Sequence, residues 1–124
     1  MNFEAPAFLI VDDNHPLRNI LVRVIRKAVP HAVIEEVALV RDALEALQVR
    51  PFDVVIVDHR LPDGDGTEVI RWVRAHNLPV AIIATSGLNV EQEMQVVGAN
   101  YVLRKPFPLE RLLTIVRTLT ESIV

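Results

Sequence analysis

Five short β-branched runs alternate along this chain with five segments whose apolar residues recur at helical spacing, and that alternation leaves few folds open. The runs are Phe8-Leu9-Ile10-Val11, Ala32-Val33-Ile34-Glu35-Glu36-Val37, Asp53-Val54-Val55-Ile56-Val57, Val80-Ala81-Ile82-Ile83-Ala84 and Tyr101-Val102-Leu103. Each has strand length and is flanked by Pro, Gly, Asp or Asn. The first, third and fourth are apolar almost throughout, as central parallel strands covered on both faces should be. The second carries Glu35 and Glu36 and reads as an edge strand. Between the runs the period changes to 3.6 residues. Leu17, Ile20, Leu21, Val24, Ile25 and Ala28 form one stripe, opened by Pro16, whose missing N–H costs nothing in a first turn. Val40, Ala43, Leu44 and Leu47 make a second stripe, Val69, Ile70 and Val73 a third, and Leu109, Leu112, Val116, Leu119 and Ile123 a fifth behind Pro108. The fourth is the least regular, with Asn89 as N-cap, Gln92 three residues on, Val90, Met94 and Val97 as its stripe and Gly98 as its stop. Strands alternating with helices imply βαβ crossovers, so the predicted fold is α/β, a doubly wound parallel sheet with helices on both faces.

Composition narrows the function classes. A chain of 124 residues fits one domain, and no linker, repeat or low-complexity segment divides it, so residues 1–124 read as a single domain with no effector domain. With 51% hydrophobic and 23% charged residues it is neither a disordered tail nor a membrane protein. Thirteen Lys and Arg against sixteen Asp and Glu give a net charge of −3 without a dense basic run, which disfavours direct nucleic-acid binding. The absence of Cys excludes a disulfide framework, a thiolate zinc site and a cysteine nucleophile. Met1 to Pro6 shows no basic region followed by an apolar stretch, so no secretion signal is read and the expected location is cytoplasmic.

In open parallel sheets the chemistry sits beyond the carboxyl ends of the strands. Asp12 and Asp13 follow the first run, Asp58 the third, Thr85 and Ser86 the fourth, and Lys105 with Pro106 the fifth. Three carboxylates brought together repel and raise one another's pKa unless a cation neutralises them, and hard oxygen ligands suit Mg²⁺. A Gly-rich loop after the first strand is missing, which disfavours nucleotide binding. Taken singly, these residues have plainer readings. Asp13 could cap the helix that Pro16 opens, and Thr85 could be an ordinary strand end. Lys105 could be a solvated lysine, while the turn role of Asp58 is already filled by Pro62, Asp63, Gly64, Asp65 and Gly66. His15 and His59 flank the cluster without the spacing of a metal pair, and Trp72 sits at the border of its stripe.

Together, the motifs carry a resemblance. Asp12-Asp13 after an apolar strand, Asp58 in Val-Val-Ile-Val-Asp-His-Arg-Leu-Pro-Asp-Gly-Asp-Gly, Thr85 with small Ser86, and Lys105-Pro106-Phe107 stand in the order of the response-regulator receiver domain of bacterial two-component signalling. The chain resembles that CheY-like family from about Phe8 to Leu119. The resemblance implies a flavodoxin-like five-stranded sheet of order 2-1-3-4-5 with five helices. It implies Asp58 as phosphoacceptor, Mg²⁺ held by Asp12, Asp13 and Asp58 with the carbonyl of Arg60, Thr85 and Lys105 on the phosphoryl oxygens, and a cis bond before Pro106. Such a domain is no enzyme beyond its own phosphorylation and dephosphorylation. Its implied partners are a sensor histidine kinase or phosphotransfer protein and a downstream protein target or effector domain. A homodimer would use the fourth helix, fifth strand and fifth helix. Two other readings are a receiver-like scaffold that signals without phosphorylation and a small phosphatase with Asp58 as nucleophile. The phosphatase would need a general acid where Arg60 stands.

The resemblance also has gaps. The family's aromatic switch position falls on Val102, with Tyr101 one residue early and, by strand alternation, on the opposite face. The span from Thr85 to Lys105 is a little short, so the fourth helix or its preceding loop should be short. Arg60 and Gly87 occupy the positions that border the hydrolytic water in the family.

Overall fold

The apolar runs are the buried strands. Phe8, Leu9, Ile10 and Val11 are wholly buried, as are Val54, Val55, Val57, Ile82, Ile83 and Ala84. Fully burying one such side chain stabilises a fold by about 1.5–3 kcal/mol. The computed structural model describes residues 5–123, with side chains through residue 121. The first four residues of the leader reading and the Ile123 side chain of the fifth stripe lie outside that description.

In chain order the elements are β1 (Ala7–Val11), α1 (His15–Ala28), β2 (Val33–Val37), α2 (Val40–Val49), β3 (Val54–Asp58), β4 (Arg60–Leu61), β5 (Gly64–Asp65), α3 (Thr67–Ala75), β6 (Ala81–Ser86), α4 (Glu91–Val97), β7 (Tyr101–Arg104) and α5 (Leu109–Ile123). Five strands form one sheet of order β2-β1-β3-β6-β7, every pairing parallel. With β4 and β5 set aside this is the expected order 2-1-3-4-5, and β2 is the edge. The residues read as a plain turn instead form a small antiparallel ribbon, pairing Arg60 with Asp65 and Leu61 with Gly64. Among the described residues no helix is long and apolar enough to cross a membrane.

Strand alternation divides the core in two. Leu9, Val11, Val55, Val57, Ile82, Ala84 and Val102 share one cluster with residues of α2, α3 and α4. Phe8, Ile10, Val54, Ile56, Ile83 and Leu103 share the other with α1 and α5. Two stripe residues depart from expectation: Ile20 is 38% and Leu109 47% exposed, because both lie at the rim of a hollow between α1 and α5 rather than in its floor.

Helix ends show what the spacing concealed. Asn14 caps α1, its Oδ1 accepting the Leu17 N–H at 3.0 Å, so Asp13 is not needed for that task. The N-cap position of α2 is Leu39, which offers no side-chain acceptor. Asp63 supplies it from the ribbon, accepting the N–H groups of Val40 at 2.8 Å and Arg41 at 3.0 Å. The Arg41 amide foremost holds the Asp63 carboxyl below its ordinary range. That contribution to stability is present above the unfolded pKa and is lost as pH falls. α4 is short, as expected, but starts one residue later than predicted. Its first helical bond runs from the Met94 N–H to Val90, whereas Ser86 Oγ accepts the Leu88 N–H at 2.9 Å and draws the preceding loop into a turn, leaving Asn89 outside.

Gly98 closes α4 at φ 125°, a conformation that favours glycine. A Cβ there would also press on the Arg74 side chain. Arg74, near the end of α3, donates from Nε to the Gly98 carbonyl at 3.0 Å, from Nη1 to the Val80 carbonyl at 2.9 Å and from Nη2 to Asn100 Oδ1 at 2.8 Å. Arg74→Ala is expected to cost about 2–3 kcal/mol, since charged hydrogen bonds contribute more than neutral ones and their acceptors are left unpaired. Arg74→Lys should recover only part of that, because an ammonium cannot reproduce the fork. Urea denaturation of the three proteins checks the ranking.

Candidate functional site

The ends of β1, β3, β6 and β7 bring four distant segments to one edge of the sheet. Asp12 is buried, Asp13 exposed and Asp58 partly buried, and one carboxylate oxygen from each lies within 4.8 Å of the others. Thr85, 1% exposed, and Ser86 are the last two residues of β6. Lys105 follows β7 and precedes a cis bond to Pro106.

Hydrogen bonds fix the carboxylates individually. The Asp12 N–H donates to the Val37 carbonyl at 3.1 Å, and its Oδ1 accepts the Asn14 N–H at 2.9 Å. Its Oδ2 faces Lys105 Nζ at 3.3 Å. Asp58 Oδ1 accepts the His59 N–H at 3.0 Å and the Thr85 hydroxyl at 3.3 Å, and lies 3.2 Å from Lys105 Nζ. One ammonium therefore bridges two of three carboxylates. Burial pushes the Asp12 carboxyl up and the Asp58 charge adds to it, outweighing the Asn14 amide and Lys105. With its folded pKa raised, protonated Asp12 favours the fold; that contribution is complete below the ordinary 3.8 and is lost as pH rises through the folded value. A hard cation beside three oxygens offsets the same cost at neutral pH, so the donor set fits Mg²⁺.

Asp12, Asp13, Asp58, Thr85 and Lys105 meet at this edge, and Arg60 opens the ribbon two positions beyond Asp58. The histidines stand outside the carboxylate set: His15 Nδ1 meets Arg18 Nη2 at 3.1 Å, and His59 Nε2 meets Asp65 Oδ2 at 3.3 Å. Trp72 is partly buried and stacks on His76 with ring centroids 3.9 Å apart, a packing role. Val102 is buried on the α4 side, paired with Ala84, while Tyr101 packs partly buried on the opposite face. Sequence reasoning missed Arg18, Asp63 and Gly66. Only Asp63 left a signal, the absence of a capping side chain ahead of α2.

The sequence profile of the response regulator receiver domain matches residues 8–117. The chain belongs to that family. The response regulator protein PilR of Pseudomonas aeruginosa is 33% identical over 113 residues, covering 89% of this chain and 25% of PilR. The transcriptional regulatory protein GltR of the same species is 27% identical over 124 residues, covering 96% of this chain and 50% of GltR. This receiver domain thus spans half or less of the length of those relatives. Among solved structures, the receiver domain of a sensor histidine kinase from Pseudomonas aeruginosa, with a magnesium ion coordinated in its active site cleft, superposes with a TM-score of 0.80 at 26% identity, covering 95% of this chain and 99% of that one. The domain is a receiver of two-component signalling, a family that carries an acidic Mg²⁺ pocket and interacts with histidine kinases and phosphotransfer proteins.

Proposed function

We propose that this domain is a phosphorylation-controlled switch in which Asp58 accepts a phosphoryl group from a histidine kinase or phosphotransfer protein. The observation that carries the reading is Lys105 Nζ lying 3.3 Å from Asp12 and 3.2 Å from Asp58 inside a cluster of three carboxylates. The donors described around Asp58 all reach Oδ1, so Oδ2 is the oxygen that attacks phosphorus. The bond from phosphorus to the donor's imidazole nitrogen breaks as the new P–O bond forms, and the nitrogen keeps the electron pair. Lys105 then exchanges its carboxylate contact for a phosphoryl oxygen, and the Thr85 hydroxyl donates to another. Asp12, Asp13 and Asp58, with the Arg60 carbonyl, would hold Mg²⁺, which supplies charge neutralisation at the transferring group. Arg60 and Gly87 border the water that later hydrolyses the aspartyl phosphate. This chemistry modifies the domain itself and turns over no separate substrate.

The modified domain acts on a downstream protein or effector domain, and α4, β7 and α5 offer the homodimer face. A second reading, a scaffold that signals without phosphorylation, draws its support from Val102 at the aromatic position.

Incubation with Mg²⁺ and acetyl phosphate separates the two. Intact-mass measurement is expected to show one added phosphoryl group in the wild type, none in Asp58→Asn, and slower uptake with weaker Mg²⁺ affinity in Asp13→Ala. No gain in the wild type would favour the scaffold.

A further inference from the structure

Arginine at the end of the first turn of a surface helix is ordinarily solvated, yet the Arg18 side chain is only 16% exposed and its whole fork is engaged. Nη1 donates to the main-chain carbonyl of Asp12 at 2.7 Å, Nε to Glu36 Oε1 on β2 at 3.2 Å, and Nη2 meets His15 Nδ1 at 3.1 Å. The Asp12 carbonyl belongs to the peptide that joins the two acidic residues. Because that peptide is planar, fixing its oxygen fixes where the Asp13 nitrogen and Cα lie and narrows the positions its carboxylate can reach. The amide on the other side of Asp12 is already held by the Val37 carbonyl at 3.1 Å, and the Asp12 carboxylate by the Asn14 amide. Arg18 supplies the remaining constraint at the point where β1 ends and the sheet no longer orders the chain.

We propose that Arg18 is a positioning residue of the cation site: through the Asp12 carbonyl, anchored on Glu36, it aims Asp13 at the oxygen cluster. The inference rests on the reading of Asp12, Asp13 and Asp58 as Mg²⁺ ligands. Electrostatics gives it a discriminating sign. A guanidinium beside a dication repels it, so removing a bystander arginine should tighten Mg²⁺ binding. Removing a positioning arginine should weaken it, as loss of a group that orients a ligand commonly does.

The test is calorimetric titration of the full chain with Mg²⁺ alone, without phosphodonor, alongside thermal melting. Arg18→Met is expected to weaken Mg²⁺ affinity about tenfold. Arg18→Lys keeps the charge and can reach one acceptor at a time, so it should recover part of the affinity and provides the reading if Arg18→Met does not fold. Glu36→Gln, whose amide oxygen can still accept from Arg18 Nε and so keeps the anchor without the charge, should stay within about twofold of wild type. Equal or tighter Mg²⁺ binding in Arg18→Met and Arg18→Lys, whatever their melting temperatures, overturns the positioning role while leaving the ligand assignment intact. A wild type that binds no Mg²⁺ sinks the ligand assignment, and the role of Arg18 falls with it.

Discussion

Gly66→Ala is expected to destabilise the domain by about 3 kcal/mol or more, close to the upper end of what overpacking costs. The backbone of Gly66, at φ −59° and ψ −21°, is open to any residue, so left-handed strain is not the cause. The cause is proximity. A Cβ at Gly66 would overlap the carbonyl oxygen of Asp58 and come within 3.0 Å of its carbonyl carbon and 3.1 Å of Val57 Cγ2. Neither neighbour can yield: Val57 is wholly buried, and β3 is hydrogen-bonded between β1 and β6. The Gly66 N–H also donates to the His59 carbonyl at 2.7 Å, tying the start of α3 to the residue after Asp58. Relief therefore has to come from moving Asp58 or the helix, and phosphorylation should slow along with the loss of stability. For a domain of this size the melting temperature should fall by roughly 10 °C. Gly64→Ala and Gly87→Ala are the controls. At Gly64 the obstacle is the flexible end of Glu68, and at Gly87 a Cβ meets nothing within 4 Å. Both should melt within a few degrees of wild type, and a Gly66→Ala protein that does the same would show that the close approach is not rigid.

The parallel sheet and the gathering of Asp12, Asp13, Asp58 and Lys105 at one edge were legible in the sequence for one physical reason, while the strand order came from the family resemblance. Burial on both faces writes itself as apolar runs, burial on one face as a 3.6-residue stripe, and parallel topology then gathers strand ends that are far apart in the chain. What escaped were bonds between side chains and backbone, which have no period. Asp63 looks like a turn residue because its sequence neighbours are turn residues, yet it caps a helix 23 residues away. Arg74 and Arg18 sit on polar faces and look solvated until the carbonyls they hold come into view. Asn89 has the chemistry of a cap, but the turn that Ser86 makes with Leu88 sets where α4 can begin. Ile20 and Leu109 satisfy their stripes by spacing and still reach solvent, since a stripe wider than its contact leaves a rim.

Thr85→Ala is expected to uncouple phosphorylation from output by about tenfold or more in phosphorylation-dependent partner binding or dimerisation, whereas Tyr101→Ala should change it by less than about twofold. The register decides between them. Val102 pairs with Ala84 and is buried on the α4 side, whereas Tyr101, one residue earlier, packs against the α1 and α5 cluster, away from the helix expected to respond. Val102 is stiff at χ1 and has no polar tip, so it cannot alternate between a buried and an exposed position as an aromatic can. The Thr85 hydroxyl already lies 3.3 Å from Asp58 Oδ1, and on the proposed chemistry a phosphoryl group on Asp58 would draw it further in. Ser86 follows, and with it the turn it makes at Leu88. Gly87 has open space around it, and the start of α4 has no side-chain cap, whereas the far end of that helix is pinned by Arg74 through the Gly98 carbonyl. The element free to respond is thus the loop of residues 87–90 with the first turn of α4, swinging on a fixed C-terminal end. Thr85→Ser, which keeps the hydroxyl, should retain most of the coupling that Thr85→Ala loses. If Tyr101→Ala abolishes the response as fully as Thr85→Ala does, the movement runs through the α5 side of the sheet, and the pivot at Gly98 is not the switch.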